Sequence, residues 1–153
     1  MTIQQMLLGA GGKTDPIYMN DIFQNHLYKG NGNNSRQITN GIDLAGDGGA
    51  VVTIQRSGNQ FYSTANSARG ATKWMYLNGN NGEQTGQDRY GSFNSDGYTM
   101  GSSSNSSYMN QNNEDYASWT FKKQKGFFTC LTYTGNGSSS QQISHDLGCV
   151  PGF

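Results

Sequence analysis

The sequence predicts an all-β protein, and three observations support this fold class. Apolar and polar residues alternate in several runs, such as residues 50–56 and 116–122, with the two-residue period of half-buried strands. Asn-Gly and Asp-Gly pairs, which accept the positive φ of tight turns, separate these runs. No window longer than about ten residues keeps an apolar helical period without a glycine. We therefore predict a β-sandwich of the jelly-roll, lectin-like kind, with no helix longer than about three turns.

The clearest strands are predicted at residues 50–56, 116–122 and 127–133, where β-branched or aromatic residues alternate with small or polar ones. Trp119 and Phe121 share one face of the second run, so we expect both side chains to be buried. Shorter strands are predicted at residues 60–64, 73–77, 90–93 and 98–100. Residues 101–113 are mostly Ser, Asn and Gly, which predicts an exposed loop.

The composition fits one folded domain and argues against several classes of protein. Only 33% of the 153 residues are hydrophobic, but 9 Tyr, 7 Phe and 2 Trp supply large side chains for a thin core. The formal net charge is zero, which argues against nucleic-acid binding. No apolar run approaches the roughly 20 residues of a membrane span, and no signal peptide begins the chain. We expect no membrane insertion, and assembly in a cytoplasm.

Neither the cysteines nor the acidic residues form a recognisable reactive site. Cys130 and Cys149 lack metal-ligand spacing, so we predict reduced thiols, with Cys130 in the core. Asp43 and Asp47 lack the alternating ligands of a Ca²⁺ loop. The pair His145-Asp146 has no accompanying nucleophile motif. We therefore predict no catalytic residue, no metal site and no cofactor.

A twenty-residue pattern occurs twice without a gap. Residues 23–42 recur as residues 128–147, at an offset of 105 residues. The identical pairs are Phe23/Phe128, Tyr28/Tyr133, Gly30/Gly135, Asn31/Asn136, Gly32/Gly137, Ser35/Ser140, Gln37/Gln142 and Ile38/Ile143. The pattern predicts a strand, a Gly-Asn-Gly turn and a second strand. We interpret residues 126–153 as the start of a second repeat-like unit or as a connector to a distal fibre, within a longer polypeptide.

Aromatic residues in or beside predicted strands and loops suggest a carbohydrate-binding surface as an alternative to core packing. Their rings can stack on sugars while neighbouring amides form hydrogen bonds. The candidates for glycan contact are Tyr62, Trp74, Tyr76, Tyr90 and Tyr108.

The chain resembles a segment that recurs in tail-fibre and other structural proteins of phages infecting marine cyanobacteria and related bacteria. The resemblance includes Leu-Tyr-Lys-Gly-Asn-Gly at 27–32 and Ala-Ser-Trp-Thr-Phe-Lys at 117–122. The remaining matching stretches are residues 21–23, 38–49, 68–70, 93–98 and 127–148. The resemblance implies a virion component, a homotrimer attached to the tail, and identifies no catalytic residues. In the family, a lectin-like β-sandwich usually follows the final Pro-Gly.

These observations lead to two functional hypotheses and a domain layout. The first hypothesis is a tail-fibre connector that docks on an adaptor, nozzle or baseplate protein, and the second is an adhesin that binds host surface polysaccharide. A depolymerase is a third, weaker alternative. Residues 1–20 are expected to be a virion-anchoring arm, with Met6, Leu7 and Leu8 as its contacts, because Gly-rich sequence gives this segment no core of its own. Residues 21–125 are expected to form the sandwich.

Overall fold

The computed structural model describes residues 6–7, 16–60, 62–101 and 107–152. The regular secondary structure of this part is almost entirely β, which confirms the predicted all-β class. The strands are β1 (Met6–Leu7), β2 (Ile17–Tyr18), β3 (Phe23–Lys29), β4 (Gln37–Thr39), β5 (Gly49–Gln55), β6 (Ser63–Asn66), β7 (Lys73–Tyr76), β8 (Gln84–Thr85), β9 (Tyr90–Asn94), β10 (Gly97–Met100) and β11 (Asp115–Lys122). The helices are α1 (Met19–Ile22) and α2 (Ser107–Asn110), each one turn long, and neither is long and apolar enough to cross a membrane.

The strands form two larger antiparallel sheets and one small one. The first sheet has the order β3-β11-β5-β6-β7-β8, and the second has the order β4-β10-β9. The pair β1-β2 forms a separate sheet. Met6 and Leu7, predicted as anchor contacts, form β1, and Leu8 lies outside the described residues. The anchoring role of the arm stays a prediction.

Tyrosines fill the space between the two larger sheets. Tyr28 and Tyr116 on the first sheet stack with ring centroids 5.1 Å apart. Tyr90 and Tyr98 on the second sheet are fully buried, and the Tyr90 hydroxyl donates to the Ser63 carbonyl oxygen across the core at 2.8 Å. A chain with few aliphatic residues thereby buries a continuous core. The core cluster is Tyr28, Ile38, Ile42, Leu44, Val51, Ala65, Trp74, Tyr90, Tyr98, Met100, Met109 and Tyr116.

The prediction for the two faces of β11 was wrong. Tyr116, Ser118 and Thr120 face the core and are fully buried, whereas Trp119 and Phe121 are half-buried on the opposite face. Alternation defines two faces of a strand but does not say which one turns inward when both carry apolar groups. Here the stacking of Tyr116 on Tyr28 occupies the core side. Replacing a fully buried Trp119 by Ala would cost about 3–5 kcal/mol. Because Trp119 is only half-buried, we expect Trp119→Ala to cost less than this.

The strand predicted at residues 127–133 is also absent from the described chain. Beyond β11 only an isolated bridge joins Gln124 to Phe128, and no described strand lies alongside residues 129–147. Extended residues need a neighbouring strand to satisfy their backbone groups. Cys130, expected in the core, is half-buried, and its Sγ lies 3.6 Å from the Gly49 carbonyl oxygen.

The predicted loop at residues 101–113 contains α2, where Met109 and Asn110 are buried. The Asn110 amide donates to the Asn33 carbonyl oxygen at 2.8 Å and accepts from the Asn31 backbone N–H at 3.1 Å. These hydrogen bonds hold α2 against the turn that contains Asn31 and Asn33.

The shorter predicted strands at residues 73–77, 90–93 and 98–100 match β7, β9 and β10 closely. The strand predicted at residues 60–64 corresponds to β6, which begins at Ser63.

Candidate ligand site

A cavity of about 330 Å³ lies beside β7 and β8, where aromatic and polar side chains converge. The strand β7 supplies two rings, β8 supplies an amide and a hydroxyl, and α2 supplies a third ring. The residues just before β9 add a carboxylate and a guanidinium group. The lining is Gln60, Trp74, Tyr76, Gln84, Thr85, Asp88, Arg89 and Tyr108.

Arg89 organises the aromatic side of the cavity. Its guanidinium carbon lies 4.3 Å from the ring centroid of Tyr108, 5.2 Å from that of Trp74 and 5.6 Å from that of Tyr76. One of its terminal nitrogens donates to the Tyr76 hydroxyl at 3.0 Å. The side chain is only 4% exposed, and a buried cation is stabilised by such ring faces and hydrogen bonds.

The three rings differ in accessibility. Trp74 is 5% exposed, Tyr76 is half-buried, and Tyr108 is 42% exposed. Trp74 and Tyr76 meet edge to face, with centroids 5.1 Å apart. The indole N–H of Trp74 is buried and has no hydrogen-bond partner among the described residues. A buried donor of this kind costs free energy unless something accepts its hydrogen bond.

The structure brings together three of the five residues predicted to contact glycans. Trp74, Tyr76 and Tyr108 line the cavity, and Tyr62 is exposed elsewhere. The prediction for Tyr90 was wrong, because its ring is fully buried and burial raises the pKa of its hydroxyl. Successive residues of an extended chain point to opposite sides, so Arg89 reaches the cavity while Tyr90 enters the core.

The sequence alone did not identify Arg89 or the polar residues of the lining. The two-residue spacing of Trp74 and Tyr76 was a usable signal, because it places both rings on one face of β7. No comparable signal connects Arg89 to them, since the contact arises only when β7 and the segment before β9 fold against each other.

Two acidic residues outside the cavity have partners of their own. Glu83 forms ion pairs with Arg69 at 3.1 Å and Lys73 at 3.9 Å. The Asp43 carboxylate accepts the Gly46 backbone N–H at 2.7 Å, which makes a turn. Within residues 6–7, 16–60, 62–101 and 107–152, no three His, Cys, Asp or Glu side chains form a group that could hold a metal ion.

A second notable region is the C-terminal copy, residues 128–147, whose turn matches that of the first copy, residues 23–42. The Asn31 side chain accepts the Asn33 backbone N–H at 3.0 Å, and the Asn136 side chain accepts the Ser138 backbone N–H at 3.0 Å. The glycine that follows each asparagine has a positive φ, 73° in the first copy and 75° in the second.

A cross-loop hydrogen bond is also repeated. Arg36 donates to the Lys29 carbonyl oxygen at 2.6 Å, and Gln141, its counterpart, donates to the Thr134 carbonyl oxygen at 3.0 Å. Lys29 and Thr134 also occupy equivalent positions. The C-terminal copy therefore shares the asparagine and glycine geometry and the cross-loop hydrogen bond of the first copy, without its strands and without the positive φ of Ser35.

Comparison with known proteins gives one match. No curated protein and no solved structure matches the chain significantly. The profile of a family described as Domain of unknown function (DUF7483) matches residues 19–153, a range that includes both larger sheets and the C-terminal copy. Because this match covers most of the sequence, the chain belongs to the DUF7483 family.

Proposed function

We propose that the chain is a non-enzymatic structural module of a bacteriophage tail fibre, close to the virion, where it attaches the fibre to the tail and supports host attachment. The observation that supports this proposal is the C-terminal copy, which repeats the sequence pattern and the asparagine hydrogen bond of the first copy and which we interpret as the start of a second unit. Units arranged in series suit a fibre. The module assembles in the host cytoplasm as a homotrimer, has a lectin-like sandwich fold, and docks on an adaptor, nozzle or baseplate protein of the tail.

Several contacts attach the C-terminal copy to the end of β11. Phe128 stacks on Phe121 of β11 with centroids 5.2 Å apart. The Gly126 backbone N–H donates to the Leu147 carbonyl oxygen at 2.7 Å, and Asp146 pairs with Lys123 at 2.6 Å. Both ends of the C-terminal copy are thus held near the end of β11, which suits a connector.

The arm at residues 1–20 is the proposed contact with the tail. Its described strands β1 and β2 pair with each other and join neither larger sheet. Deletion of residues 1–20 should leave the thermal midpoint of the purified protein nearly unchanged, while fibres disappear from assembled particles. Electron microscopy of particles from a phage carrying the deletion measures the second effect. Particles with a full set of fibres would rule out the anchor.

Position on the virion separates this proposal from its alternative. Gold-labelled antibodies against residues 21–125 should mark the tail-proximal end of the fibre if the module is a connector. Labelling at the distal tip would contradict the connector and favour the alternative, a carbohydrate-binding adhesin that recognises host surface glycans. The observation that favours the adhesin is the cavity lined by Trp74, Tyr76 and Tyr108, because tyrosine and tryptophan rings are suited to recognition surfaces.

A further inference from the structure

We infer that the cavity beside β7 and β8 binds a neutral saccharide, with Tyr108 as the stacking surface and Asp88 as a hydroxyl acceptor. This inference rests on the adhesin alternative and identifies its site and ligand class. The cavity volume of about 330 Å³ falls at the small end of ligand pockets, which span roughly 300–1,000 Å³. One or two sugar rings fit a cavity of this size.

Stacking requires a ring that is both fixed and accessible. Tyr108 meets both conditions, because the Arg89 guanidinium group packs at 4.3 Å from its centroid and the residue remains 42% exposed. Tyr76 is held by its hydrogen bond from Arg89 and its edge contact with Trp74. Rings that are already immobilised lose little conformational entropy when a ligand binds.

The charges of the lining favour a neutral ligand. Asp88 and Arg89 are its charged residues, and their formal charges cancel. Arg89 is 4% exposed and faces three rings, so its charge is directed toward aromatic faces. An acidic sugar would instead require an accessible arginine that could form a bidentate pair with its carboxylate.

The polar groups of the cavity complement sugar hydroxyls. Gln60 and Gln84 carry amides, Thr85 carries a hydroxyl, and Asp88 carries a carboxylate. A hydroxyl both donates and accepts, so these groups together can satisfy it.

Binding of defined oligosaccharides to the full chain tests this inference. The probes are neutral di- and trisaccharides of glucose, galactose, mannose and N-acetylglucosamine, with uronic acid oligomers as the acidic set. We expect the best neutral probe to bind with a Kd of about 1 mM in isothermal titration calorimetry, as small ligands with few contacts do. Tyr108→Ala and Asp88→Asn should each weaken that binding at least tenfold.

Tyr62→Ala is the matched control, because Tyr62 is 41% exposed and lies outside the cavity lining. It should leave the Kd unchanged, and thermal midpoints should show that all variants fold. Binding that is unaffected by Tyr108→Ala and Asp88→Asn overturns the assigned site and leaves the adhesin function standing. Binding of uronic acid oligomers alone overturns the neutral ligand class. Binding of no probe overturns the neutral saccharide site, whereas the adhesin function is tested separately by the position of the module on the virion.

Discussion

The first and second copies of the twenty-residue pattern share the geometry of an asparagine and a glycine in their turns, but their surroundings are very different. Residues 23–42 form β3 and β4, which belong to different sheets, with Tyr28 only 7% exposed. In residues 128–147 no strand is formed, and Tyr133, the counterpart of Tyr28, is 67% exposed. The turn between them is nevertheless repeated in its side-chain hydrogen bonds and its glycine φ.

This difference separates what a segment encodes locally from what it needs from a partner. The asparagine side chain and the glycine stabilise this part of the turn in both copies through contacts that lie within a few residues. Strand formation in the first copy depends on β11, which pairs with β3 from Asp115 to Phe121. The C-terminal copy has no described strand alongside it, so its apolar side chains stay partly or fully exposed.

The strongest test of this comparison replaces each of the two equivalent tyrosines by alanine. Tyr28→Ala should lower the free energy of unfolding by about 3–5 kcal/mol, the usual cost of removing a buried ring. It also removes the stack on Tyr116 and the hydrogen bond to the Met109 carbonyl oxygen. Tyr133→Ala should change it by less than about 0.5 kcal/mol, as exposed substitutions do. Urea denaturation measures both, and equal losses would show that the copies share one cooperative core.

A second pair of variants compares the glycines that begin each turn. A Cβ on Gly30 would lie 1.9 Å from the Gln111 carbonyl oxygen, whereas a Cβ on Gly135 meets no described atom within 4 Å. Gly30→Ala should therefore destabilise the protein by about 1–3 kcal/mol through backbone displacement, and Gly135→Ala by no more than about 0.5 kcal/mol. Thermal unfolding followed by circular dichroism compares the two. A large loss in Gly135→Ala would mean that another segment packs against the second turn.

The same distinction explains which parts of the fold could be predicted from sequence. Strands β5 and β11 were predicted because residues 50–56 and 116–122 alternate clearly. The prediction of a strand at residues 127–133 was wrong, although the pattern there is similar to that of residues 116–122. Periodicity does not reveal whether a neighbouring strand exists. The inward face of β11 was missed for a related reason, because Trp119 and Tyr116 are both aromatic and only the packing against Tyr28 distinguishes them.

The candidate site was predictable only in part. Aromatic residues with polar neighbours are visible in a sequence, and Trp74, Tyr76 and Tyr108 were identified in this way. Tyr90 also has polar neighbours in the sequence, yet it lies in the core. Arg89 holds the rings together through contacts between residues distant in sequence, so only the folded chain shows it.

The smallest expected effect concerns how the C-terminal copy is held against the first sheet. The Lys123 ammonium group and the Thr129 hydroxyl donate hydrogen bonds to the Asp146 carboxylate, and they lower its pKa from 3.8 to about 2. Undocking removes these partners and returns the pKa toward 3.8. The carboxylate therefore stabilises the docked state above about pH 4, and this contribution is lost as the pH falls toward 2. Because the pair is exposed, the effect should be modest.

The half-buried Cys130 thiol, whose Sγ lies 3.6 Å from the Gly49 carbonyl oxygen, reports this undocking. In a Cys149→Ser background, which removes the exposed thiol, the reaction of Cys130 with a dipyridyl disulfide active in acid should accelerate as the pH falls from about 4 to 2. Asp146→Asn in the same background is the control. In this variant the Cys130 thiol should react faster than in the parent protein above pH 4, and it should show little further acceleration below that pH. An equal acceleration in both proteins would assign the acid response to groups other than Asp146. A flat profile in the parent would mean that Phe128 and the bridge at Gln124 hold the segment without the ion pair.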